Sequence, residues 1–123
     1  MLKKASLKQK RRAYQRGLWA EYVALWWLRL KGYRLLKRRF RCPFGEIDLI
    51  LRFQDSVVAV EVKQRGTYQK GIEVLNLVTL QRMQKSLCFF LTQQGQTVSL
   101  NLRCDAVIVS KWKMPLHIQN ITV

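Results

Sequence analysis

Gly45-Glu46-Ile47-Asp48-Leu49-Ile50-Leu51-Arg52-Phe53, continued after Gln54-Asp55-Ser56 by Val57-Val58-Ala59-Val60-Glu61-Val62-Lys63, is the stretch that decides the fold. Residues 46–53 alternate, so Ile47, Leu49, Leu51 and Phe53 share one face of a strand while Glu46, Asp48, Ile50 and Arg52 share the other. The run 57–63 repeats the pattern, with Val58, Val60 and Val62 set against Val57, Ala59, Glu61 and Lys63. A short polar connection joins the two runs as a hairpin. Adjacent strands then each place an acid on one face of a single sheet.

Upstream, Tyr33 to Arg41 reads as a basic, weakly alternating strand, and Cys42-Pro43-Phe44-Gly45 as the turn that follows it. From Leu7 to Lys31 the chain offers good helix formers and no proline, with Gly32 as a C-terminal cap. Near its end this helix is apolar around most of its circumference, through Trp19, Tyr22, Val23, Leu25, Trp26, Trp27, Leu28 and Leu30. It is therefore either sandwiched between layers or shared with a partner chain, which leaves a homodimer open.

Downstream, residues 64–71 form a polar, glycine-flanked loop. Leu77, Leu80, Met83, Leu87, Phe90 and Leu91 then recur at helical spacing within a helix from Glu73 to Gln93, which Gly95 ends. Arg103 to Ser110 is a final strand, followed by a tail with Trp112, Pro115 and His117. The order predicts a single α/β domain over residues 1–123, αβββαβ, with a mixed sheet flanked by helices and residues 1–16 as a basic arm.

With 123 residues and 49% hydrophobic content, one core is the natural outcome. The formal charge of +16 and pI near 10.5 call for a polyanionic partner, nucleic acid before anionic membrane. The charge lies in two blocks with aromatic residues interleaved, Lys3 to Arg16 and Arg29 to Arg41. A single such run is often only a solvated surface; two favour phosphate contact. Cys42, Cys88 and Cys104 stand apart with no metal-ligand spacing, which argues against a disulfide scaffold or a zinc site. The one histidine, His117, is expected to be structural, so any chemistry rests on carboxylates and lysine. The apolar stretch after the basic start is broken by Glu21 and Arg29, lacks a cleavage site and is too short to span a bilayer. A transit peptide fits poorly because the arm is poor in serine. A cytoplasmic bacterial protein that does not enter membranes is the expectation.

Seven acids face twenty-three bases, and four of the seven, Glu21, Glu46, Asp48 and Glu61, lie on the first helix and the two strands of the hairpin. If Asp48 and Glu61 occupy neighbouring strands, their carboxylates can share one hard cation such as Mg²⁺, which takes one or two carboxylates, waters and phosphate oxygens. Lys63, two residues beyond Glu61, hangs over the same face and can orient water or offset charge on phosphorus. Glu21 sits on an otherwise apolar helix stripe, where a carboxylate must be used or paired. Glu-Val-Lys alone decides nothing, since an acid-x-lysine triplet arises by chance roughly 0.6 times in a chain of this composition. The weight comes from the ensemble.

The ensemble resembles a known family. Gly17, Ala20 and Glu21, then Lys31-Gly32-Tyr33, then Gly45-Glu46-Ile47-Asp48-Leu49-Ile50, then Val60-Glu61-Val62-Lys63-Gln64-Arg65 are similar to the small bacterial YraN-like proteins. So are Arg103-Cys104-Asp105 and His117-Ile118-Gln119-Asn120, although Cys104 stands where the family usually has phenylalanine. That family in turn looks like a member of the PD-(D/E)xK nuclease superfamily, close in pattern to archaeal Holliday-junction resolvases. The resemblance implies a restriction-endonuclease-like core, with Glu21 as the helix acid, Asp48 as the first strand acid, and Glu61 with Lys63 as the E-x-K element. It implies a Mg²⁺- or Mn²⁺-dependent endonuclease acting on DNA, with Asp48, Glu61 and Glu21 at the metal. Arg34, Lys37, Arg38, Arg39 and Arg41 on the basic strand, with Gln64 and Arg65 after the motif, are the expected nucleic-acid contacts. The rival is a non-catalytic DNA- or RNA-binding protein of the same fold, serving recombination or DNA uptake. A ribonucleoprotein component explains the clustered acids less well, and a membrane binder would need the apolar helix face that the core requires.

Overall fold

A computed structural model describes residues 6–95 and 101–121; Lys3 and Lys4 of the expected basic arm lie outside them. The chain begins with α1 (Leu7–Leu30) and continues into β1 (Arg34–Cys42), β2 (Gly45–Phe53) and β3 (Ser56–Gln64). A short α2 (Tyr68–Glu73) and a longer α3 (Leu77–Gln93) precede β4 (Asn101–Val109) and β5 (Leu116–Ile118). The five strands form one sheet in sequence order, antiparallel except where β3 runs parallel to β4. Helices α2 and α3 supply the crossover that a parallel pair requires. The α/β class, the mixed sheet and its flanking helices are as the sequence predicts.

Helix α1 starts at Ser6, whose hydroxyl accepts from the Gln9 N–H at 3.1 Å while the Gln9 side chain accepts from the Ser6 N–H at 3.0 Å. The basic block is thus already helical from Leu7. Ala20, Ala24, Leu25 and Leu28 of α1 pack with Tyr33, Leu49, Leu51, Val58, Val60, Val107 and Val109 on one sheet face. Leu80, Met83, Leu87 and Phe90 of α3 pack with Phe40, Ile47, Ile50, Val57, Ala59 and Ala106 on the other. Strand residues buried on both faces explain the continuous apolar runs of β3 and β4. Of the two options for α1, the layered one holds on one face only, because Trp19, Tyr22, Trp26 and Leu30 stay exposed.

Three features depart from the sequence reading. First, β2 does not alternate throughout: Ile47 lies in the α3-side core and Leu49 in the α1-side core, although a regular strand would put them together. The paired strand changes face at the same place: Arg38, opposite Leu49, lies over Tyr22 of α1, Phe40, opposite Ile47, packs on the α3 side, and Arg39 between them has a left-handed φ of 49°. Second, the helix expected over 73–93 is two helices, with α2 inside the expected loop. The Thr67 hydroxyl caps the first by accepting from the Lys70 N–H, and the Asn76 side chain caps the second by accepting from the Thr79 N–H. Third, the tail contains β5, paired to β4 through Ala106–Ile118, Val107–His117 and Ile108–Leu116. Among the described residues no helix is long and apolar enough to cross a membrane.

Candidate functional site

The ladder between β2 and β3 pairs Phe53 with Ser56 and ends at Leu49 with Val60. Continuing that register by one residue sets Asp48 opposite Glu61, but there the strands part. In place of a backbone carbonyl, the Asp48 Oδ2 accepts the Val62 N–H at 2.8 Å. A side chain thus holds the fork that opens the hairpin at its acidic end. The Asp48 carboxyl lines a cleft of about 270 Å³ with Tyr14, Gly17, Glu21, Arg39, Glu46 and Gln64, between the N-terminal half of α1 and the strand ends.

Burial, then the neighbouring charge of Glu61, pushes Asp48 up to about 7; the Val62 N–H opposes the shift, Glu21 adds to it and Lys63 subtracts. Across the fork, the Lys63 Nζ lies 2.8 Å from the Glu61 Oε1. The i, i+2 spacing in a regular strand keeps both on one face, as the sequence predicts. From α1, the buried Glu21 receives the Arg39 Nε at 3.0 Å and Nη2 at 2.8 Å, both on Oε2. This two-point contact holds the Arg39 guanidinium more firmly protonated than usual. Arg39 Nη1 also donates to the Tyr14 hydroxyl at 3.3 Å.

The sequence-derived candidates therefore divide. Glu61 and Lys63 pair with each other and act on Asp48 electrostatically without lining the cleft that Asp48 lines, and Glu21, which does line it, acts on Asp48 while paired with Arg39. Among the described residues, no three acid, histidine or cysteine side chains converge as an ion's ligand set in this arrangement. Asp48 and Glu61 remain a pair of hard oxygen donors whose mutual repulsion a divalent cation would relieve, which fits Mg²⁺ or Mn²⁺. Of the basic strand, Arg34 and Lys37 are exposed, Arg38 lies over Tyr22, Arg39 is committed to Glu21, and Arg41 is 3.6 Å from Glu46. Gln64 lines the cleft, and Arg65 turns back to donate to the Gln64 carbonyl. Sequence reasoning placed Arg39 among phosphate contacts; only the positive φ that turns it toward α1 shows its ion-pair role.

A second polar cluster lies beneath the sheet edge. Asp105 is fully buried and accepts from Arg103 Nε at 2.9 Å and Nη2 at 2.8 Å, His117 Nε2 at 2.7 Å, and the Asn120 N–H at 2.9 Å. Burial works to raise its pKa, but His117, Arg103 and Asn120 hold it below the ordinary carboxylate value. His117 Nδ1 accepts from Lys31, and the Tyr33 hydroxyl accepts from Arg103, so the cluster ties α1, β4 and β5 together. His117 is structural, as expected. Burial pushes the Cys104 thiol up to about 11, which leaves it unreactive at neutral pH.

Residues 20–109, which span the fork, α2, α3 and β4, match the model described as "Uncharacterised protein family UPF0102". The chain is 41% identical over 112 residues to a UPF0102 protein of Chelativorans sp. (strain BNC1), covering 91% of this chain and 90% of that protein. A UPF0102 protein of Mesorhizobium japonicum is 40% identical over 111 residues, covering 90% and 89%. One from Bartonella bacilliformis is 38% identical over 112 residues, covering 91% and 92%. The matched segment contains Glu21, Asp48, Glu61 and Lys63, and the chain belongs to UPF0102, the family of YraN-like proteins.

Proposed function

We propose that the chain is a metal-dependent phosphodiesterase that cleaves nucleic acid, DNA first, with a nuclease site at the fork between β2 and β3. The supporting observation is that Glu61 lies near enough to Asp48, at the open end of the hairpin, for its charge to raise the Asp48 carboxyl, with the Lys63 ammonium 2.8 Å from Glu61. The charge of +16 supplies the field that draws a polyanion to that cleft. Asp48 and Glu61 are the residues that would hold Mg²⁺ or Mn²⁺, which supplies Lewis acidity toward phosphate oxygen and lowers the pKa of water. The Lys63 ammonium offsets negative charge gathering on the phosphoryl oxygens. In hydrolysis a water oxygen bonds to phosphorus, the bond to one ribose oxygen breaks, and that oxygen leaves with a proton. Glu21 fixes Arg39, and with it the wall of the cleft.

Cleavage of labelled linear, flap and four-way-junction DNAs with Mn²⁺, against the same reactions with chelator, tests the reading. Wild type should cut at least one of these substrates, with Glu61→Ala and Lys63→Ala reduced about 10²-fold or more. Cutting that survives both substitutions would assign the activity elsewhere. Tight, salt-sensitive binding without any cation-dependent cutting would support the non-catalytic reading instead.

A further inference from the structure

The face of α1 turned away from the sheet carries Trp19, Tyr22 and Trp26, which are 45%, 50% and 58% exposed. Their i, i+3, i+7 spacing puts them in one stripe, about 10 Å from first to last at 1.5 Å per residue. The core does not use these rings, because Ala20, Ala24, Leu25 and Leu28 fill it from the opposite face. Cations flank them. The Arg29 guanidinium lies 5.3 Å from the Trp26 ring centre and the Arg38 guanidinium 4.7 Å from that of Tyr22. The exposed Lys8, Arg11 and Arg12 extend the positive surface toward the start of α1, whose single acid, Glu21, is on the buried side.

The stripe also reaches the fork. Trp19 lines a cleft of about 380 Å³ with Arg12, Gln15, Gln64 and Lys111, and Gln64 lines the Asp48 cleft as well. The two clefts are therefore neighbours on either side of one side chain.

We propose that Trp19, Tyr22 and Trp26 form a stacking platform for the unpaired bases of a single-stranded nucleic acid that runs along α1 from the fork. Its position beside the fork rests on the nuclease reading; its chemistry does not. Every base has a π-face that can stack on an indole or phenol, and neighbouring guanidinium groups add cation–π attraction and phosphate contact. Paired bases inside a duplex hide those faces, so the rings distinguish unpaired from paired strands while the cations bind both. A second copy of this chain would bring another strongly positive surface against the first, whereas a polyanion complements it. Membrane insertion would have to bury the arginines lying over the rings.

The test is fluorescence anisotropy with labelled dT20 and with a 20-base-pair duplex at one salt concentration, using wild type, the double variant Trp19→Ala/Trp26→Ala and its Phe counterpart. The Ala variant should bind dT20 about tenfold or more weakly and the duplex within about twofold, with the Phe variant close to wild type on both. Quenching of intrinsic tryptophan fluorescence by dT20, but not by duplex or heparin, reads the same contact in the unaltered protein. The proposal is overturned if the Ala variant binds dT20 normally, or if both ligands lose affinity equally while the Phe variant retains both. Dissociation of a wild-type dimer by the Ala change, or loss of binding to phosphatidylglycerol vesicles with dT20 binding intact, would also overturn it. Glu61→Ala should abolish cutting and leave dT20 binding unchanged, so failure of the nuclease reading is seen separately.

Discussion

Asp48 concentrates the local physics of this site. A carboxyl held near 7 in the fold and near 3.8 when unfolded keeps a proton in the native state that the unfolded chain releases between those values. The native state binds more protons across that window, so Asp48's stabilising contribution is present below about pH 4 and is lost as pH rises toward 7. The difference in unfolding free energy between wild type and Asp48→Asn should therefore fall by about 1–3 kcal/mol from pH 4 to pH 8 in metal-free buffer, measured by urea denaturation. Asn keeps an acceptor for the Val62 N–H, so a difference that is flat with pH would show that Asp48 is not shifted. That Asp48 and Glu61 fall on neighbouring strands of one hairpin was legible from two alternating runs and a short turn. The Arg39–Glu21 pair was not, because a positive φ at a non-glycine residue leaves no mark in composition or periodicity.

At the scale of elements, Gly71 and Asp105 hold parts that the sequence described only loosely. A Cβ on Gly71 would lie 2.4 Å from the Ile108 Cγ2, so α2 can approach β4 only with glycine there. Gly71→Ala should destabilise the fold by about 1–3 kcal/mol through overpacking, read as a lower urea midpoint at unchanged slope. A wild-type midpoint would mean that α2 does not pack as described. Asp105→Ala should cost about 3–5 kcal/mol, because it strands the Arg103 guanidinium in a largely buried site. Because Asp105 is held low, the stability it supplies is present above the ordinary carboxylate range and lost as pH falls through its folded pKa. Glycine beside a polar run reads as a loop until its neighbour is known. Three-residue β5 behind Pro115 is too short to announce itself, and its ladder with β4 and the contact of His117 with Asp105 hold it in place.

For the whole molecule, charge and layering act together. Helices cover both sheet faces, and the basic edge strand β1 and the outer face of α1, with Lys8, Arg11 and Arg12, are two of the surfaces over which the +16 charge is spread. Binding to a 20-base-pair duplex should weaken by about 10³-fold or more between 50 and 200 mM salt if six or more phosphates are engaged. A shallow dependence would mean that the positive surface is not the docking face. The fold class was readable in the sequence because alternation and helical periodicity are strong and long. The site was readable only in part, since the hairpin brings Asp48 near Glu61 while the pairing of Glu21 depends on how α1 packs.

Calorimetric titration of Mn²⁺ at pH 8 into wild type, Asp48→Asn and Glu61→Gln decides whether Asp48 and Glu61 form a divalent-cation site. Wild type should bind one ion, since the carboxyl near 7 is already largely ionised at this pH and free to act as a ligand, and each variant should bind at least about tenfold more weakly. Equal binding by all three proteins, or no binding by wild type, would contradict it.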